Sequence, residues 1–94
     1  MKATPLLKQR EQLTDEAFFE IVVWSGPNPV QPSQHSYKYK LVLIERGLRV
    51  IGFDNERGKG DHFHRGDPEF DYRFVTVDRL IDDFFSEVEK WNAR

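Results

Sequence analysis

Two histidines one residue apart, His62 and His64, lie in residues 53–66 (FDNERGKGDHFHRG), the stretch of this 94-residue chain richest in reactive side chains. Imidazole has an ordinary pKa of about 6.5, so both its forms are accessible near neutrality and a pair can serve as acid and base. Arg57 and Lys59 are permanent cations suited to phosphate, the first as a planar fork and the second as a point charge. Gly58 and Gly60 let a backbone approach an anion and offer it N–H groups, and Asn55 adds an amide. Asp61 or Asp54 could fix a histidine tautomer, as carboxylates do in other acid–base pairs.

Cutting RNA without a metal would call for such a set. The 2′-hydroxyl must lose a proton, the leaving 5′-oxygen must gain one, and the non-bridging phosphate oxygens need stabilising. His62, His64 and Asp61 are therefore the catalytic candidates, and neither a metal nor a cofactor is expected. Asn55, Arg57, Gly58, Lys59 and Gly60 form the phosphate- and RNA-binding set, joined by Tyr37 and Lys38 from farther up the chain.

Each element has a plainer reading. The glycines alone would equally shape a turn, and the cations alone would equally be solvated surface. On a strand, His62 and His64 would face the same way with Cα atoms about 6–7 Å apart. That suits an acid and a base on one phosphate, and it suits two metal ligands just as well. The remaining ligands would then come from Asp54, Asp61, Asp67 and His35. The Gly-X-Gly spacing lacks the frame of a nucleotide-binding P-loop.

The elements that must position these groups follow from periodicity. Leu6 to Leu13 and Ala17 to Trp24 read as a strand pair around the turn Thr14-Asp15-Glu16. Ser25 to Ser36, with Pro27, Pro29 and Pro32, reads as a loop or flap. Tyr37 to Glu45 and Leu48 to Asp54 read as a second hairpin around Arg46-Gly47, since glycine accepts the positive φ of a tight turn. Residues 53–66 read as a long polar loop, more than a simple connection needs, which marks it as a site. Phe70 to Phe74 alternates as a short fifth strand. Asp78 suits a helix N-cap, ahead of a stripe of Leu80, Ile81, Phe84, Phe85, Val88 and Trp91 at spacings of three and four. The expected fold is α+β: an antiparallel sheet of four to five strands with one C-terminal helix across a face, a single domain over residues 1–94.

Within the third strand, Tyr37 and Tyr39 face one way and Lys38 and Lys40 the other. The tyrosines could stack bases while the lysines follow a nucleic-acid backbone, or they could simply seal a half-buried strand. Trp24 and Trp91 read as core anchors.

Composition narrows the classes. Apolar residues make up 38% of the chain and include eight Phe, enough aromatic bulk to fold despite 32% charged residues. The absence of cysteine excludes disulfides and thiolate zinc sites. The longest apolar runs, Ile21 to Trp24 and Leu41 to Ile44, are far too short for a membrane span, and the N-terminal segment carries no secretory-type apolar stretch. A soluble, cytoplasmic protein is expected. The formal charge of −2 divides unevenly: residues 1–34 carry three basic and four acidic side chains, residues 35–65 seven and four, and residues 66–94 four and eight. A modestly cationic middle beside an acidic tail is short of the strong basicity of a duplex-binding domain.

The run Phe53 to His64, the later Tyr72-Arg73-Phe74 and the helical segment Leu80 to Phe84 together resemble the TumE family, small bacterial toxins of toxin–antitoxin pairs. His35 to Val50 and the strand pair ending at Trp24 extend the resemblance over nearly the whole chain. Phe53 and Phe63 stand where the family pattern leads one to expect Tyr and Arg, the second change removing a cation. The resemblance implies a toxin neutralised by a DNA-binding helix-turn-helix antitoxin, TumA. For a toxin this small it also implies RNA cleavage or interference with translation. Other readings stay open: a non-enzymatic RNA- or ribosome-binding module, a metal-dependent phosphoesterase, or a subunit active only in a complex. The sequence leaves a homodimer undecided.

Overall fold

The chain folds as a meander, each strand returning beside the one before. The structure, a computed structural model, describes residues 4–26, 35–56 and 59–94. Six strands, β1 (Thr4–Thr14), β2 (Ala17–Ser25), β3 (Tyr37–Glu45), β4 (Leu48–Glu56), β5 (Gly60–Arg65) and β6 (Glu69–Asp71), precede one helix, α1 (Val77–Asn92). Sheet order equals chain order and every neighbouring pair is antiparallel, the α+β arrangement expected.

Two expectations need correction. The sheet has six strands rather than four to five, because residues 53–56 extend β4 and Gly60–Arg65 forms β5 where a long loop was expected. Cross-strand pairing on both sides, Asp54↔His62 toward β4 and His62↔Asp71 toward β6, makes a strand of a segment with little apolar content. The short strand expected at Phe70 to Phe74 is β6, confined to Glu69–Asp71. The prolines of the expected flap, Pro27, Pro29 and Pro32, lie outside the described residues.

The β3–β4 turn is the tight one expected. Arg46 and Gly47 have φ of 52° and 78°, both positive as a two-residue hairpin of matching twist requires, and Glu45 pairs with Leu48. Arg46 is held in this left-handed conformation by its N–H on the Glu16 carbonyl (2.9 Å) and its Nε on the Glu16 carboxylate (2.5 Å).

Alternation gives the sheet two unlike faces. Phe19, Ile21, Val23, Tyr39, Leu41, Leu43, Ile51 and Phe53 form the face under α1, which contributes Leu80, Phe84 and Val88 to the same core. Phe84 is fully buried and meets Phe19 and Phe53 edge-on, each at 6.1 Å between ring centres. The helix starts two residues earlier than the sequence suggests. Thr76 is the N-cap, its hydroxyl accepting from the Arg79 N–H, while Asp78 sits in the first turn, where a negative charge suits the helix dipole. Trp91 packs against the core as expected, but Trp24 does not: it lies on the opposite face of β2 and is 37% exposed. Among the described residues no helix is long and apolar enough to cross a membrane.

Candidate functional site

The β4–β5 register decides which reactive groups meet. Asp54 pairs with His62 and Gly52 with His64, so these side chains share the sheet face away from α1. Across the next ladder His64 pairs with Glu69. Asp54, His62, His64 and Glu69 thus come together from three strands by pleat geometry alone.

Their polar atoms converge. His62 Nε2 lies 2.5 Å from Asp54 Oδ1 and 3.2 Å from Glu69 Oε1, and His64 Nε2 lies 3.8 Å from the same Glu69 oxygen. The two imidazole rings sit edge to face, 5.1 Å apart. One ligand-type atom each from Asp54, His62 and His64 falls within a 4.8 Å span. His62 is 4% exposed, whereas Glu69 reaches toward solvent with 43% of its side chain accessible.

The state of His62 can be read from its surroundings. Its Nδ1 lies 3.1 Å from the Gly60 carbonyl, which can only accept, so Nδ1 carries a proton. In the neutral ring, Nε2 then presents its lone pair to the two carboxylates. The 2.5 Å approach to Asp54 has the distance of a strong contact but not the alignment of a hydrogen bond. Asp54 Oδ1 is buried and finds no hydrogen-bond donor among the described residues, and His64 Nδ1 is likewise buried without one.

Cations surround the cluster. Lys59 Nζ is 3.9 Å from Glu69 Oε1, so this expected phosphate ligand does reach the histidine face. Lys40 pairs with Asp54 across the β3–β4 ladder. Arg49 joins through a bulge in β4: Leu43 pairs with Ile51 and Ile44 with Arg49, leaving Val50 as the extra residue. The bulge turns Arg49 onto the histidine face, where its side chain passes close over Gly52, and its charge adds to burial in lowering the pKa of His64. Burial is the larger of these two causes, and the Glu69 carboxylate opposes them. Beside Asp54, a cavity of about 320 Å³ is lined by Val22, Trp24, Lys38, Tyr39, Lys40 and Asp54.

Several residues singled out in the sequence sit elsewhere. Asp61 alternates with the histidines and therefore points under the helix. There it accepts from the Tyr39 hydroxyl at 2.7 Å and contacts His35 Nε2 at 2.7 Å, so it cannot orient His62 or His64. Asn55 is fully buried and serves the backbone, its Oδ1 accepting from the Tyr39 N–H and its Nδ2 donating to the Tyr37 carbonyl; it offers nothing to a phosphate. Tyr39 is 1% exposed, with its hydroxyl pKa pushed up first by burial and then by Asp61, so it stacks no base. Tyr37 lies on this same helix-side face, against His35 and Phe74. Lys38 shares the histidine face, but its amine donates to the Asn55 carbonyl. Gly60 has a φ of 79° and uses its carbonyl to anchor His62. Arg57 and Gly58 lie outside the described residues.

Glu69, Arg49, Lys40 and Trp24 are the site-lining residues that the candidate set omitted. Trp24 and Lys40 were recognisable from strand alternation, which puts them on one face with Lys38. Glu69 needed the β5–β6 register, and Arg49 needed the bulge.

A small antiparallel sheet backed by one helix defines an α+β protein, and its candidate site, a histidine–carboxylate cluster on the open face, is carried by strands. The family model for Toxin TumE matches residues 3–92, and the chain belongs to the TumE toxin family. Comparisons with curated proteins and with solved structures find no match. Membership points to a toxin component of a toxin–antitoxin system, and such a component has an antitoxin as its partner.

Proposed function

We propose that this chain is an endoribonuclease toxin that cleaves RNA phosphodiester bonds on the open sheet face, at Asp54, His62, His64 and Glu69. One observation carries the reading: two imidazoles and two carboxylates converge there with polar atoms 2.5 to 3.8 Å apart, beside Arg49, Lys40 and Lys59 and adjoining the Trp24 cavity. A strand of RNA laid in that cavity would stack a base on Trp24, which is sequence-tolerant chemistry, and set its phosphate among the cations. In this scheme Glu69, exposed and next to both imidazoles, would take the proton of the attacking 2′-hydroxyl, and His64 would supply one to the leaving 5′-oxygen, so that the P–O5′ bond breaks as the 2′-oxygen bonds to phosphorus.

The scheme departs from a free pair of proton-transferring histidines at His62. Its Nδ1 is committed to Gly60 and its Nε2 is enclosed by two carboxylates, so neither nitrogen is open to a substrate proton. The cognate partner, a helix-turn-helix antitoxin, would neutralise the toxin.

Induced expression of wild type against His64→Ala tests the reading, scored by growth and total RNA integrity. Wild type should arrest growth and fragment RNA, and the folded variant should do neither while still binding antitoxin. Purified, folded wild type that cuts no cellular RNA, alone or with ribosomes, would sink it.

A further inference from the structure

A second polar cluster, His35, Asp61 and Tyr39, is a network in which the His35 nitrogens and the tyrosine hydroxyl are engaged with partners among the described residues. The histidine face is different. His62 is buried and held by Gly60 so that Nε2 is its ligating atom, the outer-shell arrangement that orients a metal-bound imidazole. Around that atom stand Asp54 Oδ1, buried and without a donor, Glu69 Oε1, and His64. Leaving a buried carboxylate oxygen unpaired is costly, and a cation bound beside it would pair it.

We infer that Asp54, His62 and His64 form a binding site for a divalent transition cation of the zinc or manganese type, with Glu69 beside it as a fourth ligand or as the base for a cation-bound nucleophile. The inference rests on the same four-residue face as the proposed RNA cleavage, and departs from the metal-free site expected from the sequence. Zinc–nitrogen and zinc–oxygen bonds of about 2.0–2.2 Å put tetrahedral ligand atoms about 3.3–3.5 Å apart. The 4.8 Å span would have to close by about 1.3–1.5 Å, and the 2.5 Å approach of Asp54 to His62 to open by about 0.8–1.0 Å, through side-chain movements of both. A cation bound at His62 Nε2 would be flanked by Asp54 and Glu69, whose oxygens lie 2.5 and 3.2 Å from that nitrogen. Two nitrogens with one carboxylate favour zinc, manganese or iron over magnesium and calcium, which prefer all-oxygen sites.

An alternative for the same geometry is a doubly protonated His62 paired with both carboxylates. That arrangement would hold no divalent cation, so the titration below reads the difference directly.

The full-length chain, stripped with EDTA and dialysed, should be titrated calorimetrically with Zn²⁺, Mn²⁺ and, as control, Mg²⁺. The expected result is one-to-one binding of Zn²⁺ or Mn²⁺, at least tenfold tighter than Mg²⁺. Asp54→Asn and His64→Gln should each weaken it by about tenfold or more. These variants keep side-chain size, and circular dichroism confirms that each is folded; His62→Ala is added if it also folds. No binding of Zn²⁺ or Mn²⁺, equal binding of Mg²⁺, or binding unchanged in both folded variants would overturn the inference. RNA cleavage that persists in EDTA by a protein that binds no cation would remove the metal and leave the nuclease. One-to-one binding without any RNA cleavage would do the reverse.

Discussion

Gly60 holds His62 in place: the carbonyl of a residue at φ 79° accepts from His62 Nδ1 at 3.1 Å, two positions along the same strand. The glycine is thus part of the site without touching any ligand. It fixes which imidazole nitrogen faces Asp54 and Glu69, and so sets what the cluster can do.

Replacing that glycine should therefore do two things at once. Gly60→Ala forces an L side chain into the left-handed region, a cost of about 1–2 kcal/mol. It also shifts the carbonyl that orients His62. We expect a lower melting temperature together with a loss of RNA cleavage larger than the fraction unfolded explains. Thermal denaturation and single-turnover cleavage on the same sample check this, and full activity per folded molecule would contradict it.

RNA affinity should depend on the open face and not on the tyrosines. Trp24→Ala removes a stacking surface worth about 1–3 kcal/mol per base. Lys40→Ala should lower the slope of log affinity against log salt by about 0.7, the contribution of one single-strand phosphate contact. Tyr37→Ala, on the helix side, should leave affinity and salt slope unchanged. Fluorescence anisotropy with a short single-stranded RNA over a salt series separates the three.

The core makes a simpler demand. Phe84 is fully buried against Phe19 and Phe53, so Phe84→Ala should cost about 3–5 kcal/mol through lost burial and the cavity left behind. Urea denaturation gives the number, and a cost below about 1 kcal/mol would show that α1 is not packed as described.

Stability should also fall in acid through Glu87. Its hydrogen bond from Arg65 is the main cause of its lowered pKa, with Lys90 assisting and burial opposing. A carboxylate whose folded pKa is depressed stabilises fully above its unfolded value of about 4.3, and that share is lost as pH falls through the folded value. The partners are more than half exposed, so the share is at most about 1 kcal/mol. Denaturation midpoints between pH 7 and 3 should show it, and Glu87→Gln should flatten the acid limb without altering the neutral plateau by more than this share.

Much of this architecture is legible in the residues, and the misses have physical reasons. The alternation of Tyr37 to Lys40, the Arg46-Gly47 turn and the stripe from Leu80 to Trp91 each report a local period or a backbone requirement, and all three appear as read. β5 does not announce itself, because GDHFHR has one large apolar residue and becomes a strand through pairing on both edges. The error over Asp61 has the same root. In a loop, an aspartate next to His62 could orient it, but on a strand the pleat sends the two to opposite faces. Arg49 was out of reach, since only the bulge at Val50 brings it to the histidines.

The most direct test of the working face is RNA fragmentation by equal amounts of folded wild type, His64→Ala and Asp61→Asn. Asp61 and His64 are three residues apart on opposite faces of one strand, and one face alone is assigned to chemistry. The expected result is cleavage by wild type and Asp61→Asn, and at least a hundredfold loss in His64→Ala, the lower end of what a positioned catalytic group contributes. Active His64→Ala beside folded but inactive Asp61→Asn would contradict the assignment and move the site beneath the helix.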